Sequence, residues 1–240
     1  MSEGRRIESN SACEQSESRV KSTVVFGGSF HPLHIGHLTI LRALCERNDV
    51  DRVLLVVSPK NPLKDSISAE SATERLEAAR EAVARHPELA GKVEVCDIEF
   101  RLGPPNYTIR TLDALAAEIS SNSEQADATE NGLPLNVGLA SDTGLRMAVG
   151  GANGDRTGLR LAVGGDQLAD FRRWKDYARI LLEYGLLVYP RDGFDSPALR
   201  DDLQRENPAY RITLIDAPLF NISSTALREG LISRPEDYLM

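Results

Sequence analysis

Residues 22–37 read STVVFGGSFHPLHIGH, and the order of residue types in that stretch decides the fold class. An apolar run, Thr23 to Phe26, meets Gly27-Gly28. A helical pattern follows from about Ile35 to Glu46, with Leu38, Leu41 and Leu44 on one face. The stretch reads as a buried strand, a tight turn and a helix. Gly27 and Gly28 let the backbone approach a ligand closely. The amide N–H groups and positive dipole end of the helix point into the same space, which makes an anion site. His34 and His37 are three residues apart, so at a helix start they can face one side and donate hydrogen bonds to phosphoryl oxygens. Phosphate raises an imidazole pKa and the helix dipole lowers it, so their charge state stays open at this level. Neither GxxxxGK[ST] nor GxGxxG is formed here, which excludes a Walker A loop and a dinucleotide fingerprint. A plain turn with unrelated histidines, or a metal site with further ligands nearby, are the other readings of the same residues.

The strand–helix rhythm continues outward from this unit. Arg52 to Ser58 is nearly all apolar, as expected of a strand buried on both faces. Ser71 to Arg85 reads as a helix, with Ser71 and Glu74 spaced as a capping box. Lys92 to Glu99 reads as a strand, Thr108 to Ser120 as a helix, and Leu159 to Val163 as a strand ending at Gly164-Gly165. A helix over Asp176 to Glu183, a strand over Leu186 to Tyr189, a helix opened by Ser196 as cap and Pro197, and a strand over Arg211 to Ile215 complete the alternation. The pattern predicts an α/β fold, Rossmann-like and doubly wound, with a mainly parallel sheet and helices on both faces. Ligands on such sheets bind at the carboxyl ends of the strands near the topological switch point, and both Gly-Gly pairs lie at strand ends.

Two regions break the rhythm. Residues 1–21 are rich in Ser, Glu and Arg without apolar periodicity, and read as a disordered tail. Residues 121–131 read as a solvated loop, after which GLPLNVG (132–138), GLRMAVG (144–150) and GLRLAVG (158–164) repeat one short pattern. Only the third copy runs on into Gly165-Asp166, a carboxylate at a strand end, so that copy is the expected central strand. Residues 22–240 then form a single domain with an insertion at about 121–156. The chain has 240 residues, a net charge of −8 and three well-separated cysteines. An acidic chain repels nucleic acid and anionic membranes, so phosphates can bind only at a local site. Sparse, unpaired cysteine, no apolar leader and no apolar run near the ~20 residues of a membrane span point to the cytoplasm.

Near the far end, ISSTALR at 222–228 offers the hydroxyls and N–H groups of Ser223, Ser224 and Thr225 at a helix start, with Arg228 one turn later. Alone, this is an ordinary N-cap with a solvated Arg. GGSFHPLHIGH at 27–37 resembles the nucleotidyltransferase signature GGSFDPxHxGH, with His31 where the family has Asp, and ISSTALR resembles its second signature ISSTxxR. The resemblance implies that His34, His37 and Arg228 are catalytic. It implies ATP contacts for Gly27, Gly28, Ser29, Phe30, Gly164, Asp166, Ile222, Ser223, Ser224 and Thr225. Three further segments, SPKNPLKD (58–65), NYTIRTLDAL (106–115) and GGDQLADFRRW (164–174), resemble the bacterial nicotinate mononucleotide adenylyltransferases. They imply mononucleotide contacts for Lys64, Tyr107, Thr108 and Trp174, with Asn106 in place of the family's Ser. The expected reaction joins the AMP half of ATP to nicotinate mononucleotide, with Mg²⁺ carried by substrate phosphates, no dedicated metal motif, and small molecules as the partners; a homo-oligomer is compatible. A nicotinamide mononucleotide or phosphopantetheine adenylyltransferase, and a non-catalytic nucleotide sensor, are the competing readings.

Overall fold

The computed structural model describes residues 22–59, 69–128, 158–218 and 239–240. Its strands are β1 (Ser22–Gly28), β2 (Val50–Val57), β3 (Val93–Cys96), β4 (Leu159–Gly164), β5 (Leu186–Tyr189) and β6 (Ile212–Leu214). All adjacent pairs are parallel, in the order β3-β2-β1-β4-β5-β6. The chain thus builds outward from β1 in one direction, then returns to β1 and builds outward in the other. The switch point lies between β1 and β4, and the two Gly-Gly ends stand side by side there.

Helices cover both faces. They are α1 (Ile35–Cys45), α2 (Ala69–Ala84), α3 (Ile98–Leu102), α4 (Thr108–Ala128), α5 (Gly165–Ala169), α6 (Tyr177–Arg179), which runs on as a π-helical turn over Ile180–Tyr184, and α7 (Ser196–Glu206). Side chains of a strand alternate between faces, and the core divides accordingly. Val24, Phe26, Leu55, Val57 and Leu187 join one cluster with Leu41 and Leu44 of α1 and Leu76 and Ala79 of α2. Val25, Leu54, Val56, Leu161, Val163 and Val188 join the other with Leu112 and Leu115 of α4, Leu168 of α5 and Leu203 of α7. This two-sided burial explains why β2 and β4 show no polar alternation.

Several local expectations are corrected. Gly27 and Gly28 do not form a turn but complete β1, in register with Val56 and Val57 of β2. Residues 121–128 are not a loop: α4 continues through them to Ala128. α2 begins at Ala69, so Ser71 falls inside its first turn rather than at its cap. The strand expected to reach Glu99 ends at Cys96, and Ile98 already opens α3. The cap of α7 is Asp195, whose carboxylate accepts the Ala198 N–H at 3.0 Å, and not Ser196. An ionised acid serves the positive helix end better than a hydroxyl. The third copy of the repeat is β4, paired on one side with β1 and on the other with β5. The first two copies, residues 1–21, Lys64, and residues 222–228 lie outside the described residues.

Candidate active site

The start of α1 is organised by its own histidines. The His34 N–H donates to Nδ1 of His37 at 3.2 Å, which leaves the proton of a neutral His37 on Nε2. The two rings lie 3.8 Å apart between centroids. His37 is also set by edge contacts to Phe30 at 5.1 Å and by Phe26 at 6.1 Å. His34 is only 1 % exposed, and both of its ring nitrogens are buried with no hydrogen-bond partner among the described residues. Such a group is costly unless a ligand completes it. Burial first, and the Arg191 guanidinium second, push His34 down to about 4. Burial, then His34, then Arg191 hold His37 well below the usual imidazole range. Both rings are therefore neutral near pH 7, each able to donate one N–H.

A cavity of about 930 Å³ opens across the carboxyl ends of β1, β2 and β4, lined by Gly27, Gly28 and Ser29 among others. Asp166, Tyr107, Thr108 and Trp174 also line it, so the structure brings most of the described site residues to one place. His34 and His37 are not among its lining residues, and the Gly27–Ser29 segment leads from the cavity to them. Trp174 is half-buried and stacks on Phe171 at 4.8 Å with one flank on the cavity. The Lys175 ammonium sits 4.9 Å from the Tyr107 ring. Phe30 differs from expectation: it adopts φ +44°, its ring is buried in the core, and only its backbone is left to meet a ligand. Gly164 caps α5, its N–H donating to Oε1 of Gln167 at 2.9 Å, and it is packed rather than open to the cavity.

Three residues that shape the candidate site left no motif in the sequence. Arg191 follows β5, stands 3.6 Å from Asp166 and 5.7 Å from the Tyr189 ring, and acts on both histidines. Arg75 of α2 is 4 % exposed, and its guanidinium donates to the carbonyls of Ser29, Ser58 and Pro59. It fixes the ends of β1 and β2 to one another. Glu99 is 7 % exposed on the cavity wall, and its two carboxylate oxygens accept the hydroxyls of Ser58 and Thr111. Burial raises the Glu99 carboxyl above its ordinary range, against the donors Ser58, Thr111 and Asn106. The partners of these residues are far away in sequence, so periodicity and spacing could not reveal them. The nearest signal is that acid and Arg stand at positions where the apolar pattern calls for burial.

Comparison with known proteins agrees with this geometry. Residues 25–230 match the cytidylyltransferase-like family model. A "Probable nicotinate-nucleotide adenylyltransferase" of Bacteroides fragilis is 31% identical over 87% of this chain and 81% of its own length. The protein of the same name from Cytophaga hutchinsonii is 31% identical over 85% of this chain and 82% of its own. The solved Plasmodium falciparum nicotinic acid mononucleotide adenylyltransferase, complexed with NaAD, superposes with a TM-score of 0.60. It covers 91% of this chain and 90% of its own at 16% identity, a likeness of fold. With the parallel sheet, the switch-point cleft and the paired histidines in place, the chain belongs to the cytidylyltransferase-like nucleotidyltransferases, and within them to the nicotinate-nucleotide adenylyltransferases.

Proposed function

We propose that the chain transfers AMP from ATP to nicotinate mononucleotide, releasing pyrophosphate and forming nicotinate adenine dinucleotide. The observation that carries the reading is the neutral histidine pair, His34 buried and His37 half-buried, beside a glycine strand end that opens onto a nucleotide-sized cavity. The mononucleotide phosphate is already an anion. An oxygen of it attacks the α-phosphorus of ATP, a new P–O bond forms, and the bond from the α-phosphorus to the bridging oxygen breaks in line. No base and no covalent enzyme intermediate are needed, so the protein's work is positioning and charge stabilisation. In this reading Nε2–H of His37 and one N–H of His34 donate to phosphoryl oxygens, which completes the orphaned His34 nitrogens. Donors fixed in advance in a dry site act strongly on charge that develops in the transition state. Arg228 and the 222–225 segment would hold the triphosphate, and Lys64 a phosphate, as the family resemblance implies. Asp166 would meet the ATP ribose, and Trp174, Tyr107 and Thr108 the mononucleotide.

Mg²⁺ belongs to the proposal as an ion carried by the substrates. Among the described residues no group of three or more His, Cys, Asp or Glu could hold a metal. Such an ion would ride on phosphate and water, where it would neutralise the leaving pyrophosphate. Cys45 and Cys96 are free, which suits a cytoplasmic enzyme. No described helix is long and apolar enough to cross a membrane. Residues 22–240 are read as one nucleotidyltransferase domain, the insertion starting after α4 rather than within it. The test is incubation with ATP, Mg²⁺ and, separately, nicotinate mononucleotide, nicotinamide mononucleotide and phosphopantetheine, with products identified by mass. Nicotinate adenine dinucleotide with stoichiometric pyrophosphate is expected. No pyrophosphate with any acceptor would leave the sensor reading standing.

A further inference from the structure

One wall of the cavity has a hydrogen-bond polarity that none of its residues shows singly. Ser58 follows β2, Asn106 precedes α4, Thr111 lies in α4, and all three line the cavity together with Glu99. A hydroxyl has one proton. Ser58 Oγ–H donates to one Glu99 oxygen, and Thr111 Oγ1–H donates to the other at 2.9 Å. Both protons are therefore turned toward the carboxylate, and what each hydroxyl has left is lone pairs. Asn106 is oriented in the same sense. Its Nδ2 donates to the Glu99 carbonyl at 3.3 Å, so the amide cannot flip without setting oxygen against oxygen. Its Oδ1 is buried and accepts nothing among the described residues. An acceptor in that state asks for a donor from a ligand.

We propose that Glu99, by fixing the protons of Ser58 and Thr111, makes this wall an acceptor-only surface that reads the ribose hydroxyls of the mononucleotide. The inference rests on the adenylyltransferase reading and adds a subsite to it. Anionic groups are excluded from such a wall, so neither the phosphate nor the nicotinate carboxylate belongs there. Position separates the candidates further. The Ser58 N–H donates to the Gly28 carbonyl at 2.9 Å, which puts Ser58 beside the glycine end where phosphate transfer is proposed. Trp174 and the cation Lys175, which sits over the Tyr107 ring, also line the cavity and suit an aromatic ring with a carboxylate. In a mononucleotide the ribose lies between its phosphate and its base, and its hydroxyls are the donors that come within reach of Ser58 and Asn106. Glu99 acts here as a positioning residue. It sets the direction of other groups' protons.

The test compares kcat/KM for nicotinate mononucleotide with its 2′-deoxy and 3′-deoxy analogues at saturating ATP, in wild type, Ser58→Ala and Glu99→Gln. Wild type should prefer the ribose form over one analogue by about 3- to 10-fold, the scale of one neutral hydrogen bond. Ser58→Ala removes an acceptor at a half-exposed position. In Glu99→Gln the amide NH₂ donates to one hydroxyl and releases that hydroxyl's proton into the cavity. Both variants should bring the ratio close to 1 and leave discrimination between ATP and 2′-deoxy-ATP unchanged. If Glu99→Gln does not fold, Ser58→Ala carries the test alone. Undiminished discrimination in Ser58→Ala overturns the proposal, as does a wild type that uses ribose and both deoxy forms equally. A change in the nicotinate-to-nicotinamide ratio with the deoxy ratio intact would place the base substituent on this wall, and overturns it too. A wild type that makes no product from nicotinate mononucleotide fails at the earlier reading and takes this subsite with it.

Discussion

Two neighbouring strands end in the same dipeptide, and the two ends are built differently. At β1, among the described residues, a Cβ added to Gly27 would meet nothing within 4 Å, and one on Gly28 would meet only the Phe30 ring at 3.0 Å. At β4, a Cβ on Gly164 would run into the Asp166 carboxylate and approach the Tyr189 ring to 3.0 Å. One on Gly165 would sit 2.5 Å from Ser196 Oγ. Glycine at the first end leaves open space, which the proposed reading gives to a ligand, and glycine at the second lets protein pack on protein. On the proposed function the chemistry stands with the open end, since His34 and His37 follow β1. Changes at β1 should therefore strike turnover and spare the fold, whereas changes at β4 should strike the fold first.

The largest effect is expected from His37→Ala. Loss of one preorganised donor to the transferring phosphoryl group should lower kcat by roughly 10²–10³. Unfolding by circular dichroism should show the fold retained. A well-folded variant with near-normal turnover would remove His37 from the chemistry and undo the contrast between the two ends.

The same histidines give the β1 end a pH signature in stability. An unfolded histidine titrates near its ordinary value of about 6.5, whereas His34 in the fold is held at about 4. Between these values the unfolded chain takes up a proton that the folded chain refuses. Stability should thus fall as pH drops from about 6.5 toward about 4, and His34 adds no slope above that window. Its share is at most about 3 kcal/mol. Urea unfolding at pH 7 and pH 5 measures the slope, and His34→Gln should flatten it. An equal slope in the variant would assign the pH sensitivity to other groups.

At the β4 end the expected loss is structural. Gly164→Ala inserts a methyl against Asp166 and Tyr189, and overpacking of this kind costs about 1–3 kcal/mol. Thermal melting should show it, and KM for the mononucleotide should move little in the fraction that folds. A variant as stable as wild type would mean that Asp166 swings aside at no cost, and β4 would then resemble β1.

This contrast was only half legible in the sequence. The apolar runs, the Gly-Gly pairs and the helical spacing of Leu38, Leu41 and Leu44 placed the sheet, the switch point and the histidines. The Asp166 that follows the third repeat copy singled it out as β4. Identical dipeptides could not say which was packed, because Tyr189 and Ser196 reach β4 from later elements. Glu99 and Arg75 were invisible for the same reason: Glu99 meets Ser58 across 41 residues, and Arg75 meets Ser29 across 46. The end of α4 was missed because SNSEQADA carries no apolar stripe. Strongly periodic residues earlier in the helix, Ile109, Leu112 and Leu115, are buried and anchor it, so the helix can run on past the end of its apolar pattern.

The smallest effect on stability should also have the opposite sign to the effect on function. Gly27 lies inside β1, paired with Val56, and glycine within a strand loosens the folded backbone relative to alanine. Its φ is not among the positive ones, and no atom of the described residues within 4 Å stands in the way of a methyl. Gly27→Ala should therefore leave stability unchanged or raise it by up to about 1 kcal/mol, through the smaller entropy of the unfolded chain. The new methyl would project into the cavity that Gly27 lines. There it would hold a phosphate or ribose away from the strand end, and displacement on the ångström scale costs turnover heavily when positioning is the catalytic device. The expected pair of readings is a melting temperature equal to or above wild type and a kcat/KM for ATP reduced about tenfold or more. If Gly27→Ala loses stability instead, the space beside Gly27 is structural and the two strand ends serve the same purpose. If it gains stability and keeps full activity, no substrate approaches β1 at this point and the binding site must be drawn further out along Ser29.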